Sequence, residues 1–238
     1  MVRYIVVGDV HGCYDELIAL LIKVDFDDKR DCIIFLGDYT DRGPKAYEVY
    51  RFLRGLKLEM GTRCILLFGN HEELIMDYYD TFDPNWKRNG GKTTQKSFKQ
   101  HNLSLRRYTD FIDKYTNSYY QGKTFQACHA GLENKPLSEQ ELEVLIWDRS
   151  AVKQGFYKGP LTIVGHTPLN NPVWVGPIND EPEYIIYKEG IKYDIPKYGL
   201  IAIDTGCVMG GKLTAVVFEH NKMEFFCQEN MTGESYMY

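Results

Sequence analysis

The sequence predicts an α/β fold, a mixed, largely parallel sheet with a second sheet packed on it. Three observations carry this expectation. Short apolar runs alternate with amphipathic segments through residues 1–170. The last third changes to successive strand-like runs joined by glycine or polar turns. No repeat, low-complexity tract or linker divides the 238 residues, 44% of them hydrophobic, so residues 1–238 are expected to form a single domain with a sizeable core.

The elements follow in order. Strands are expected at 4–7, 32–36, 64–68, 124–128 and 161–164, where Ile, Val, Leu and Phe concentrate and glycine mostly follows. Between them, YDELIALLIKV (14–24), AYEVYRFLRGL (46–56), EELIMDYY (72–79) and LRRYTDFIDKY (105–115) show helical spacing of apolar residues. Pro44 suits the opening of the second helix. SEQELEVLIW (138–147) places Ser138 and Glu141 in capping-box spacing. The closing strands are read from YIIYKEG (184–190), GLIAIDTG (199–206), KLTAVVFEH (212–220) and KMEFFCQE (222–229).

The bulk numbers exclude several classes. A net charge of −5 gives no basic field for gripping nucleic-acid phosphates. No run reaches about 18 apolar residues, so no membrane span is expected and a cytoplasmic location is the default. The six cysteines form no CxxC pair and sit in or beside apolar runs, as buried reduced thiols do.

The ends of the strands are the informative feature. YIVV runs into GDVHG (8–12), CIIFL into GDYTDRG (37–43), CILLF into GNHEE (69–73), TFQAC into HAG (129–131) and LTIV into GHT (165–167). Each alone reads as a turn or a helix cap. Together they place four of the six histidines, His11, His71, His129 and His166, at strand ends, where an α/β sheet gathers its ligand-binding residues. His101 and His220 lie in polar surroundings and receive no role. Carboxylate, imidazole and amide oxygen without thiolate suit manganese, iron, zinc or magnesium. These are too many ligands for one four-coordinate ion, and two ions sharing a carboxylate would accommodate them, the arrangement that clamps a phosphoryl transfer. GDYTDRG lacks an EF-hand's ligand spacing, and no GxxxxGK[ST] loop is present.

GDVHG, GDYTDRG, GNHE, HAG and GHT, in this order, resemble the signatures of the calcineurin-like metallophosphoesterases. More narrowly they are similar to the phosphoprotein phosphatase family in its short bacterial and phage form. NWKRNGG (85–91), LIWDR (145–149) and IDTGCVMGGKLTAV (203–216) extend the resemblance over nearly the whole chain. The resemblance implies a β-sandwich of two mixed sheets flanked by helices in α/β/β/α layers. It implies two divalent ions, manganese first, with iron, zinc and magnesium also fitting. Asp9, His11 and Asp38 would hold the first ion, Asp38 would bridge, and Asn70, His129 and His166 would complete the second. Water between the ions would be the nucleophile. His71 matches the family's general acid, oriented by Asp41. Arg42 and Arg149 match its phosphate-gripping arginines, with Asn70 beside the substrate. Counting two divalent ions, one hydroxide and these side chains leaves the pocket near +3 (roughly), a field that draws in a phosphate dianion.

The implied reaction is hydrolysis of phosphomonoesters, either phosphoserine and phosphothreonine proteins or peptides, or aryl phosphates. GDVHGCYDELIALL also looks like the start of the symmetrical diadenosine tetraphosphatases, which is the alternative activity. Asp41 and Glu72 side with the phosphatases. Partners are expected to be a phosphorylated protein or a small phosphoester, with no nucleic acid, no membrane and a monomer by default. Residues 83–102, holding five of the 28 basic residues, are read equally as a specificity element or a solvated loop, with Trp86 as a base platform, a cover or an anchor.

Overall fold

The computed structural model describes residues 2–236. Two mixed sheets face each other, with helices outside both. The first sheet runs β10(Lys192–Asp194), β14(Lys222–Glu229), β13(Lys212–Glu219), β1(Arg3–Val7), β2(Asp31–Phe35), β3(Cys64–Leu67), β4(Thr116–Asn117), with β12(Asp204–Thr205) paired to β13. The second runs β5(Tyr119–Gln121), β6(Gln126–Cys128), β7(Thr162–Val164), β11(Leu200–Ala202), β8(Val173–Ile178), β9(Glu181–Ile186). The helices are α1(Tyr14–Lys23), α2(Ala46–Met60), α3(Asn70–Thr81), α4(Lys92–Gln100), α5(Arg106–Tyr115), α6(Leu142–Trp147) and α7(Ser150–Gln154).

The alternation of side chains along a strand explains the layers. In β1 and β2, Ile5, Val7, Ile33 and Phe35 face the core beneath α1, α2, α3 and α5. Val6 and Ile34 face the opposite way, into a second core with Ile163 and Ile201 of the other sheet. A third core joins Cys128, Val164 and Leu200 to Leu145 and Ile146 of α6. CIIFL is apolar throughout because both its faces are buried.

Register then positions the loops. β1 and β2 are parallel and level, Val7 opposite Phe35, so Asp9 and Asp38 leave the sheet side by side. β2 and β3 are parallel with Phe35 opposite Leu66. In the second sheet β6 pairs in parallel with β7, Ala127 opposite Ile163.

Several expectations need correction. The sheets are mixed but not largely parallel, because β8 to β14 add mostly antiparallel pairs. The five strand ends therefore come from the facing edges of two sheets. The span 138–147 is not one helix. A 3-10 turn at Leu137–Glu139 is followed by α6, whose cap residue Glu141 makes no side-chain capping bond. Residues 83–102 are largely helical rather than a loop, and Trp86 is fully buried. All six cysteines are buried and free. Among the described residues no helix is long and apolar enough to cross a membrane.

Candidate metal centre and active site

The backbone at the strand ends is bent to bring side chains inward. His11, Asp38, Asp41, Arg42 and His166 all have positive φ, between 44° and 69°. Each such residue costs on the order of 1–3 kcal/mol and persists only where the surroundings enforce it. Here the enforcement is visible. The amide of His11 donates to the carbonyl of Asp38 at 2.8 Å, and that of Gly12 to Tyr39 at 2.9 Å, which ties the first two loops together. Glu72, fully buried in the first turn of α3, accepts the amides of Asp38 (2.7 Å), Gly69 (3.1 Å) and Tyr39 (3.1 Å) and the Tyr108 hydroxyl (2.9 Å). Burial first, then Asp38, pushes this carboxyl up to about 8, while the four donors favour the anion. With both oxygens filled by donors, the carboxylate is the form that fits.

The candidate ligands converge on Asp38. His11 Nε2 lies 3.3 Å from Asp38 Oδ2, and His129 Nε2 lies 3.4 Å from Asp38 Oδ1 and 3.0 Å from Asn70 Oδ1. Each ring's other nitrogen is already committed. His11 Nδ1 donates to the Thr40 carbonyl at 2.8 Å, and His129 Nδ1 to the Leu36 carbonyl at 2.9 Å. A carbonyl only accepts, so both Nδ1 atoms carry protons and, in the neutral rings, both Nε2 atoms present lone pairs to a carboxylate. Lone pairs facing lone pairs at these distances call for positive charge between them, which the Arg42 guanidinium supplies in part at His11. Two groups of donor atoms share Asp38, namely His11–Asp38–His71 and Asp38–His129–His166. Two buried atoms of the site, Asp9 Oδ1 and His166 Nε2, have no hydrogen-bond partner among the described residues. The other oxygen of Asp9 accepts the His166 amide at 3.0 Å. Any side chain at Gly165 would strike Asp9 Oδ1, so glycine is needed there for the close approach. A pair of divalent ions fits this donor set.

The electrostatics agree. Burial, then Asp204 and Asp38, pushes the Asp9 carboxyl well above its ordinary range, and burial also pushes Asp204 up. Burial lowers His11 and His129, and takes His166 down to about 3. Asp38 goes the other way. Burial pushes it up, but the positive charge that His129, His71 and His11 carry when protonated holds it well below the usual carboxylate range, as any cation placed there would. Crowded carboxylates and neutral imidazoles are the donor set of a pocket built around added positive charge.

The other expected residues are also at this centre. His71 Nδ1 is 2.8 Å from Asp41 Oδ2, both fully buried, and His71 Nε2 is 4.0 Å from Asp38 Oδ2. Arg42 Nη1 lies 2.7 Å from His11 Nε2, so a guanidinium meets that lone pair. Arg149 reaches the rim and donates to the His166 carbonyl at 2.9 Å. His101 instead stacks on Tyr47, and His220 is exposed on the β13–β14 turn.

Three residues at the centre, Asp204, Trp147 and Thr94, had no site role in the sequence reading, and Trp86, read there as a base platform, a cover or an anchor, is fully buried beside Asp41. Asp204 is buried among Asp9, Asp38 and His11, and GLIAI running into DTG is the same strand-end pattern, so the signal was present. Trp147 sets its ring edge-on to His166 (6.0 Å, 85°), and its indole N–H donates to Glu73 at 2.6 Å. Trp86 and Thr94 both donate to Asp41 from 45 and 53 residues away, which no local pattern reveals.

Comparison with known proteins places this geometry. The family model described as calcineurin-like phosphoesterase matches residues 2–212. A Bacillus velezensis protein named bis(5'-nucleosyl)-tetraphosphatase PrpE [asymmetrical] is 28% identical, over 91% of this chain and 90% of that one. A Klebsiella pneumoniae protein named bis(5'-nucleosyl)-tetraphosphatase, symmetrical, is 50% identical, but over 28% of this chain and only 22% of its own length. Among solved structures, the cold-active protein-tyrosine phosphatase of a psychrophilic Shewanella superposes with a TM-score of 0.67 at 17% identity, covering 97% of this chain and 81% of that one. At that identity the likeness concerns the fold.

Proposed function

This chain belongs to the calcineurin-like phosphoesterase family, and from that premise we propose that it is a dinuclear metal-dependent phosphatase acting on phosphomonoesters. The substrates in this reading are phosphoserine or phosphothreonine in proteins or peptides, and aryl phosphates. The observation that carries the reading is the buried His71–Asp41 pair at 2.8 Å beside Asp38. Such a pair is needed where the departing oxygen must be protonated.

Asp9, His11 and Asp38 would hold one ion and Asp38, Asn70, His129 and His166 the other. When bound, such ions supply Lewis-acid polarisation of a phosphoryl oxygen and acidify water, manganese being the first choice. The chain's own residues do the rest. With His71 as the imidazolium, Asp41 accepts the Nδ1 proton and fixes the ring, and the Nε2 proton faces the pocket and passes to the leaving oxygen. Arg42 and Arg149 supply guanidinium forks for the phosphate oxygens. Asn70, at the start of α3, places an amide beside them.

The relatives' names favour a second reading, cleavage of dinucleoside tetraphosphates. One assay separates the two. The purified protein, loaded with manganese, is given a phosphoserine peptide, an aryl phosphate and diadenosine tetraphosphate. Phosphate release from the first two supports the proposal. Cleavage of the third, symmetrically to two ADP or asymmetrically to ATP and AMP, far faster than any monoester, supports the alternative.

A further inference from the structure

Resting on the phosphatase reading, we infer that WKRNGGKTT (86–94) is a clamp whose Trp86 and Thr94 position Asp41, and through it His71, to expel a strongly basic alkoxide; the substrate class is then the phosphate monoester of an alkyl alcohol.

The clamp accounts for every hydrogen-bonding atom of the Asp41 side chain. Trp86 Nε1 lies 2.9 Å from Oδ2 and 3.0 Å from Oδ1. Thr94 Oγ1 donates to Oδ1 at 2.6 Å and accepts the Asp41 amide at 2.8 Å. His71 Nδ1 completes Oδ2. The indole N–H is donor-only, and the single hydroxyl proton of Thr94 is committed. Asp41 thus meets only donors and acts as a fixed acceptor for His71. The carboxylate, the indole and the hydroxyl are all fully buried, so no water can substitute.

The same segment seats the neighbouring arginine. The Gly90 carbonyl accepts the Arg42 amide at 3.2 Å. Gly90 has φ +103°, and a Cβ there would come within 2.7 Å of Arg42 N and Cγ, so glycine is required. Trp86 also packs on Tyr78 of α3, the helix that carries His71 (5.0 Å between rings). One short segment therefore fixes the acid-orienting carboxylate, the arginine beside it and the helix of the acid.

The chemistry then selects the substrate. In hydrolysis, water's oxygen bonds to phosphorus, the P–O ester bond breaks, and the departing oxygen takes the electron pair and a proton. An aryl oxide or a nucleoside phosphate leaves without help. An alkoxide, as from phosphoserine or glycerol 2-phosphate, must be protonated as it departs. A carboxylate held by three buried donors serves that case.

The test uses the manganese-loaded enzyme and the variants Trp86→Phe, Thr94→Val and Thr94→Ser, with metal content measured for each. Trp86→Phe and Thr94→Val should keep their metal and lower kcat about tenfold or more on a phosphoserine peptide and on glycerol 2-phosphate, but by less than about threefold on 4-nitrophenyl phosphate. Thr94→Ser should recover most of the loss. Peptide against glycerol phosphate tells a protein substrate from a small one. Equal losses on all three substrates, or no loss, overturn the inference. Should Trp86→Phe not fold, the Thr94 pair decides alone. A wild-type enzyme inactive on every monoester would instead sink the phosphatase reading itself, whatever the variants do.

Discussion

Asp38 and His71 are one backbone hydrogen bond apart, His71 N donating to Asp38 Oδ1 at 3.0 Å, yet their proposed tasks differ. Asp38→Asn removes the negative charge common to both donor groups and replaces one of the two carboxylate oxygens with a donor. Asp38→Asn should therefore lose bound metal and activity together, as elemental analysis beside turnover will show. His71→Asn should keep its metal and lose roughly 10²–10⁴-fold in kcat, least on aryl phosphates. An empty site in His71→Asn would make His71 a ligand, as its place beside His11 and Asp38 also allows. His166 offers a pH test. Its imidazole, about 3 in the fold against 6.5 free, stays neutral in the folded chain while the unfolded chain takes up a proton. Stability from this group is whole above pH 6.5 and is lost as pH falls toward 3. In chelator-treated protein, wild type should lose about 1.4 kcal/mol per pH unit more than His166→Asn across that window. Parallel curves would contradict the assignment.

At the scale of elements, the strand ends were legible because the rule is local. An apolar run followed by glycine and a polar ligand type can be counted without knowing the partner strand. The pairing was not legible. That β13 lies antiparallel to β1, with Val6 opposite Val216, depends on residues 210 positions apart. The helix expected at 138–147 failed because the extended backbone at Gln140 and Glu141 divides it, ending the 3-10 turn at Glu139 and letting α6 begin only at Leu142. Residues 83–102 were ambiguous because Trp86 and Thr94 find their partner only in the folded chain. Glu72 shows how an element end holds a loop. Glu72→Gln would turn an amide NH₂ toward donors that now share a carboxylate, so at least one bond, from the Tyr39 amide, becomes a donor-to-donor contact even with the Tyr108 hydroxyl reversed to accept. We expect about 2–4 kcal/mol of destabilisation, read from denaturant unfolding. A loss below about 0.5 kcal/mol would show that Glu72 does not brace β2 against α3.

For the whole molecule, two sheets bring Asp9, Asp38 and Asn70 from one edge to meet His129 and His166 from the other. The centre thus spans the sandwich, and cations bound there favour the folded chain by mass action. Manganese at about a hundred times its Kd should raise stability by about 2.7 kcal/mol, reversed by chelation, as thermal unfolding will show. The central claim is metal-dependent monoester hydrolysis, and phosphate release from a phosphoserine peptide tests it most directly. The account predicts release with manganese, none after chelation, and a collapse in His71→Asn that keeps its metal. A fully loaded protein that leaves the peptide and aryl phosphate intact while cleaving diadenosine tetraphosphate would contradict it.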